Sequence, residues 1–171
     1  MSILPFVCSN GAVHFADPEW FSFFCAVGLL DGIRDGRLQA VARLPYVNSV
    51  HQFLKALVVE FRCRQQVVPV LAEWLKNRDG ATANRPIARN FAAYVLGMIG
   101  ATEAQEDLAC AAAQDRGQDV RLYAVAALGK LRARQQLPAL RSLFASEVDS
   151  QVRLMIAQAV CRITGVAEFE M

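Results

Sequence analysis

The feature that most constrains the fold is a repeat in the second half of the chain. Segments 87–100, 119–132 and 151–164 begin 32 residues apart and fall on one another in sequence. Within each segment, apolar residues recur three and four positions apart, as on one face of a helix. A repeat of this length indicates stacked helical units that bury a shared core between neighbours.

A second helical run follows each of the first two segments, so the repeating unit is helix–turn–helix. These runs are "TEAQEDLACAAA" and "QLPALRSLF", and Pro138 in the latter suits the first turn of a helix. A diverged copy covers residues 50–75. The sequence therefore predicts an all-α solenoid of about four helical hairpins, the last one incomplete because only seven residues follow Thr164.

The chain length of 171 residues fits one domain. We expect a single solenoid over 1–171, with a degenerate helical cap at 1–48 and the repeats at 49–171. Phe21 and Phe24 belong to a dense aromatic cluster, which indicates either a helix buried on two sides or an apolar docking surface. The apolar run at 20–30 is too short to span a membrane, and the N-terminus lacks the cationic start of a signal peptide.

Two kinds of residue recur at equivalent positions of the repeats: Arg89, Arg121 and Arg153, and the glycines Gly97 and Gly129. The small residues would let neighbouring helices approach closely. The arginines lie at helix starts beside an apolar stripe, which favours capping or pairing with a neighbouring repeat's carboxylate. A line of guanidinium groups for phosphate binding is the alternative.

The opening D-V-R and closing A-x-x-A-L-G of the 119–129 segment resemble the HEAT repeat, most closely the short form in bacterial proteins related to phycobilin lyases. The resemblance implies a right-handed superhelix. It matches Arg121 and Arg153 to the family's repeated arginine and Asp119 to its acidic position. Ile87 and Gln151 depart from that acidic position, and Cys161 replaces the glycine in the third copy.

Composition argues against several classes of function. The net charge of +2, from 18 basic and 16 acidic residues, provides no broad cationic field for nucleic acid. Two histidines and five scattered cysteines predict no metal, and no cofactor or catalytic motif is recognisable. We therefore expect a cytoplasmic protein that is not an enzyme, with its cysteines reduced.

Charges of opposite sign on the second helices suggest a protein partner, because a uniform polyanion would not fit them. These charged residues are candidates for partner binding, although an ordinary solvated helix surface would explain the same charges equally well. The residues concerned are Glu103 and Glu106 in one repeat and Arg132, Arg134 and Arg141 in the next.

A second apolar stripe in the last repeat comprises Leu154, Ala157 and Cys161. Terminal units of stacked arrays normally present a polar outer face. We therefore expect this stripe to pack either on the tail, through Val166 and Phe169, or on another chain, which includes a homodimer through the C-terminal repeat.

The sequence favours a non-catalytic scaffold or adaptor that binds a protein partner and no membrane. One alternative is a nucleic-acid-binding protein resembling the HEAT-like alkylpurine DNA glycosylases. The other, which rests on the resemblance alone, is a chromophore-lyase-like enzyme.

Overall fold

The structure is a computed structural model that describes residues 6–9, 12–15, 18–37, 48–60, 63–76, 86–166 and 169. Eight α-helices lie in these residues, and short 3-10 turns at Thr102–Ala104 and Arg134–Gln136 precede the fifth and seventh. The helices are α1 (Pro18–Arg34), α2 (Asn48–Glu60), α3 (Arg64–Lys76), α4 (Pro86–Met98), α5 (Gln105–Gln114), α6 (Gln118–Lys130), α7 (Leu137–Ser146) and α8 (Ser150–Thr164).

The chain divides into two compact units, Met1–Arg64 and Gln65–Met171. The first contains α1 and α2, and the second contains nearly all of α3 and the whole of α4–α8. Residues 49–64, which the sequence assigned to the repeats, thus lie in the first unit. The single solenoid domain over 1–171 stays a prediction.

Two antiparallel strands lie in the first unit, so residues 6–9 and 12–15 depart from the helical cap predicted at 1–48. Strands β1 (Phe6–Ser9) and β2 (Ala12–Phe15) pair antiparallel, with Ser9 opposite Ala12. Both strands carry β-branched or aromatic residues. Asn-Gly, the dipeptide typical of two-residue hairpins, separates them in the sequence. Helical periodicity alone does not detect this signal, which lies in the turn residues.

Helices α1 and α2 share the core of the first unit. Leu29 and Ile33 of α1 and Leu54 of α2 are almost completely buried. The rings of Phe23 and Phe53 meet edge-to-face at 5.8 Å. Phe21 and Phe24, on the opposite side of α1, are 45% and 41% exposed, so this helix is not buried on both sides.

The second unit confirms the predicted α-solenoid, because its helices pack in sequential order. The first helices of the repeats, α4, α6 and α8, lie side by side, and the second helices, α5 and α7, pack beneath them. In α6 the fully buried Val120, Ala124 and Leu128 supply the stripe that the period predicted. The right-handed turn of the array stays a prediction.

Local sequence sets the ends of α8. The Asp149 carboxylate caps its start by accepting hydrogen bonds from the backbone N–H groups of Gln151 (2.9 Å) and Val152 (3.0 Å). Gly165 ends the helix in the left-handed conformation, with φ at 83°, which costs glycine little.

Two glycines allow the first helices to approach one another closely. A Cβ on Gly97 of α4 would lie 2.7 Å from the Cβ of Ala127 on α6. A Cβ on Gly129 of α6 would lie 3.0 Å from the Cβ of Ala159 on α8. The first distance leaves no room for a side chain, and the second is a tight contact.

We expect Gly97→Ala to lower the free energy of unfolding by up to about 2 kcal/mol. Overpacking costs about 1–3 kcal/mol, which outweighs the gain of about 1 kcal/mol in helix propensity. Urea unfolding of the purified chain measures the change. Gly129→Ala, with its wider gap, should be closer to neutral.

The matched control is Ala127→Gly in the Gly97→Ala background, which reopens the space across the helix pair. A double-mutant cycle should give a favourable coupling between the two substitutions. Independent, additive effects would show that the close approach does not limit the packing.

Candidate protein-binding face on the first helices

The first helices expose one continuous face, here named the first-helix face. In α4 and α6 most other side chains are buried, so one stripe of each meets solvent, and α8 exposes the corresponding stripe together with its outer side. The face comprises Ile87, Asn90, Tyr94 and Met98 of α4, Asp119, Leu122, Tyr123, Ala126 and Lys130 of α6, and Gln151, Leu154, Met155, Gln158 and Arg162 of α8.

Apolar and aromatic side chains occupy much of this face, from Ile87 at the Asp119 end to Leu122, Tyr123 and Leu154 in the middle. Ile87 is 54% exposed and Leu154 39% exposed, although both are large hydrophobic residues. Leu122, Tyr123 and Met155 are half-buried between them. Scattered exposed hydrophobic residues are ordinary, but a row of them across three adjacent helices is typical of an interaction surface.

A tyrosine pair joins α4 to α6 on this face. The rings of Tyr94 and Tyr123 meet edge-to-face at 6.1 Å, and the Lys130 ammonium lies 5.1 Å from the centre of the Tyr94 ring. Burial raises the pKa of the Tyr94 hydroxyl, and the neighbouring Tyr123 raises it further. Tyr94 is therefore neutral at physiological pH and presents a polar O–H beside an apolar ring.

The second helices expose a different kind of surface. Ala109 and Ala113 of α5 and Ser142, Ala145 and Ser146 of α7 are exposed or half-buried. Short side chains offer little area to a partner. Leu137, Leu143 and Phe144 of α7 are half-buried as well. Among the described helices of the second unit, the large hydrophobic residues that are clearly exposed are Ile87 and Leu154, and both lie on first helices.

The charged residues proposed from the sequence lie away from the first-helix face. Glu106 lies on α5, and Arg141 lies on α7. Glu103 and Arg134 lie in the 3-10 turns, and Arg132 lies between α6 and the second of these turns, with φ at 50°. All five side chains are exposed. Their role in binding stays a prediction.

The repeated arginines form a ladder of ion pairs inside the array. Arg89 donates two hydrogen bonds to the Asp115 carboxylate, at 2.8 and 3.1 Å, with both side chains buried. Arg121 donates likewise to Glu147, at 2.9 and 3.1 Å. It also donates to the Asp115 carbonyl, at 3.1 Å. Bidentate geometry of this kind fixes the turn before each following first helix.

The carboxylates of this ladder were missed in the sequence. Asp115 and Glu147 are 32 residues apart, so the period was sufficient to find them. The acidic position expected from the resemblance was 119, but Asp119 is exposed. The third arginine, Arg153, is exposed and lies over the Phe144 ring at 4.9 Å.

The stripe at Leu154, Ala157 and Cys161 is exposed to half-buried on the outer side of α8. Of the two tail residues expected there, Val166 is 61% exposed, and Phe169 stacks on the Phe144 ring of α7 at 3.9 Å. Cys161 stands where Gly97 and Gly129 accept a neighbouring helix. A helix packed on α8 in that manner would meet the Cys161 side chain.

No group of three histidine, cysteine or acidic side chains within the described residues is arranged to hold a metal ion. None of the described helices is long and apolar enough to cross a membrane. The sequence signal for the first-helix face was weak, because Tyr123 fits the apolar period of its helix and was therefore interpreted as a core residue.

Comparison with known families agrees with this architecture. A family model described as HEAT repeats matches residues 68–161, more than half of the chain. The chain therefore belongs to the HEAT-repeat family. The curated proteins yield no match.

We expect the Arg121–Glu147 pair to make stability depend on pH. Burial raises the pKa of the Glu147 carboxyl. The hydrogen bond from Arg121, those from the backbone N–H groups of Asp149 and Val148, and the Arg121 charge lower the pKa by more, so the net pKa lies below the usual 4.5. The stabilisation is therefore present above about pH 4.5 and is lost as the pH falls through the folded-state pKa.

Glu147→Gln should destabilise the chain by about 2 kcal/mol at pH 7, the magnitude of hydrogen bonds to a charged group. The difference from wild type should shrink towards pH 3. Urea unfolding over pH 3–7 measures both, and exposed Glu106→Gln is the control. A difference that stays constant over this range would contradict a charged Glu147 in the folded chain.

Proposed function

We propose that this chain is a non-catalytic protein-binding module, a scaffold or adaptor, that binds its partner on the first-helix face. HEAT repeats commonly serve as protein-interaction scaffolds, and the family match covers the helices that build this face. The observation that carries the proposal is the row of exposed and half-buried apolar side chains across α4, α6 and α8.

The rigidity of the face supports this role. The close helix packing at Gly97 and Gly129 and the buried Arg89–Asp115 pair hold the three helices in fixed register. A preorganised surface loses little conformational entropy on binding, so more of the apolar burial contributes to affinity. Tyrosine is also enriched in interface cores, because it combines a large apolar ring with a hydroxyl.

The charged second helices and the α8 stripe are secondary candidates for contact with a partner. We keep the homodimer through Leu154, Ala157 and Cys161 as a proposal that the α8 exposure supports. A cytoplasmic location is likewise our proposal. It is supported by the thiols of Cys25 and Cys161, which form no disulfide within the described residues.

The nucleic-acid alternative has less support. Lys130 and Arg162 are the basic residues of the first-helix face, and the other residues that form it are apolar, polar or, at Asp119, acidic. A nucleic-acid surface would need cations spaced along the phosphate backbone. The chromophore-lyase-like alternative continues to rest on the resemblance alone.

The test replaces two exposed hydrophobic residues of the face with polar ones, as Ile87→Gln with Leu154→Gln. Because both side chains already meet solvent, the fold should remain and partner retention should fall about tenfold or more. Quantitative affinity capture from the native host measures retention.

The matched control is Ala113→Gln with Ala145→Gln, on exposed positions of the second helices. This variant should retain the same proteins as wild type. If it loses them while the Ile87/Leu154 variant keeps them, the binding surface lies on the second helices and the first-helix proposal is wrong.

A further inference from the structure

The first-helix face carries its basic residues at one end only. Lys130 is the last residue of α6, and Arg162 lies in the last turn of α8 at the equivalent position one repeat later. Both side chains are exposed. The acidic residue of the face, Asp119, lies at the opposite end, in the first turn of α6. The face therefore has an apolar centre with a cationic border at one edge.

These two cations differ from the arginines of the ladder. Arg89 and Arg121 each meet a carboxylate within the array. Among the ion pairs of the described residues, none involves Lys130 or Arg162. Lys130 lies over the Tyr94 ring, which orients its ammonium group without neutralising the charge. The positive charges of Lys130 and Arg162 are therefore available to pair with acidic groups of a binding partner.

Docking on the apolar centre would remove water from beside both cations. A partner with carboxylates there would replace that water with charge-assisted hydrogen bonds, whereas a basic partner would add like-charge repulsion. Resting on the function proposed above, we propose that the partner is a protein segment whose apolar side chains cover the centre and whose acidic side chains meet Lys130 and Arg162.

A protein segment fits the centre better than a lipid surface does. Asn90 and Gln158 interrupt the apolar side chains, and Gln158 is exposed. A peptide backbone can hydrogen-bond to these amides, but acyl chains would bury them without a partner at a cost. An anionic membrane would supply negative charge for Lys130 and Arg162, but it would offer no hydrogen-bond partner to these amides.

The experiment selects binders from a displayed library of random 15-residue peptides. Wild type should enrich peptides that combine large apolar residues with clustered aspartate and glutamate. The variant Lys130→Glu with Arg162→Glu should enrich basic peptides instead. It should bind the peptides selected by wild type about tenfold or more weakly at low salt, a loss that high salt reduces. Circular dichroism verifies the fold of each variant.

The matched control is Lys55→Glu with Arg116→Glu, which makes the same charge change on exposed residues that are not part of the face. It should enrich the same acidic peptides as wild type. If this control shifts the selection and the Lys130/Arg162 variant does not, the acidic segment binds elsewhere and the proposal is overturned.

The outcomes separate this proposal from the protein-binding function. Peptides that require Ile87 and Leu154 but carry no acidic bias would overturn the acidic partner alone. If no peptide binds wild type better than it binds the Ile87→Gln/Leu154→Gln variant, both the acidic partner and the protein-binding function are overturned.

Binding to phosphatidylserine vesicles in place of peptides would assign the face to a membrane. A concentration-dependent dimer, abolished by that same variant in light scattering, would assign it to a second copy. Either result overturns the proposal.

Discussion

The close approach of the first helices is the constraint on which the second unit depends. At Gly97 the backbone of α4 meets Ala127 of α6 where no further carbon fits, and Gly129 meets Ala159 in the same way one repeat later. The same contact made twice sets neighbouring first helices side by side. Contact at this range also maximises the dispersion energy of the packed helices.

The ion-pair ladder follows from this register. Arg89 and Arg121 point from the start of one first helix to the turn before the next, where Asp115 and Glu147 accept them. Glu147 also accepts the backbone N–H groups of Val148 and Asp149, next to the cap of α8. Each turn is thereby fixed to the preceding repeat. Buried polar groups paired in this way specify one arrangement of the array.

The functional surface is a consequence of the same arrangement. The helices cover most of one another, so α4 and α6 each leave one stripe in solvent and α8 leaves the corresponding stripe and its outer side, and the three stripes lie adjacent. In a lone helix, Leu122 or Met155 would be an ordinary apolar residue. Side by side with Ile87, Leu154 and the tyrosine pair, they form an apolar centre with cations at one edge. We therefore propose that an acidic segment binds to the three helices together, because no single repeat contains the whole surface.

The sequence by itself determined the helical hairpins, their period and the positions of the small residues and arginines, because helix periodicity and repetition are local properties. The sequence also contained two signals that the predictions did not use. These are the Asn-Gly dipeptide between the two strands and the 32-residue spacing of Asp115 and Glu147. Only the tertiary structure decided which apolar residues remain exposed. Tyr123 and Leu128 both fit the helical period, yet Leu128 is fully buried and Tyr123 meets solvent. Exposure depends on where the neighbouring repeats lie, and periodicity within one helix does not record that.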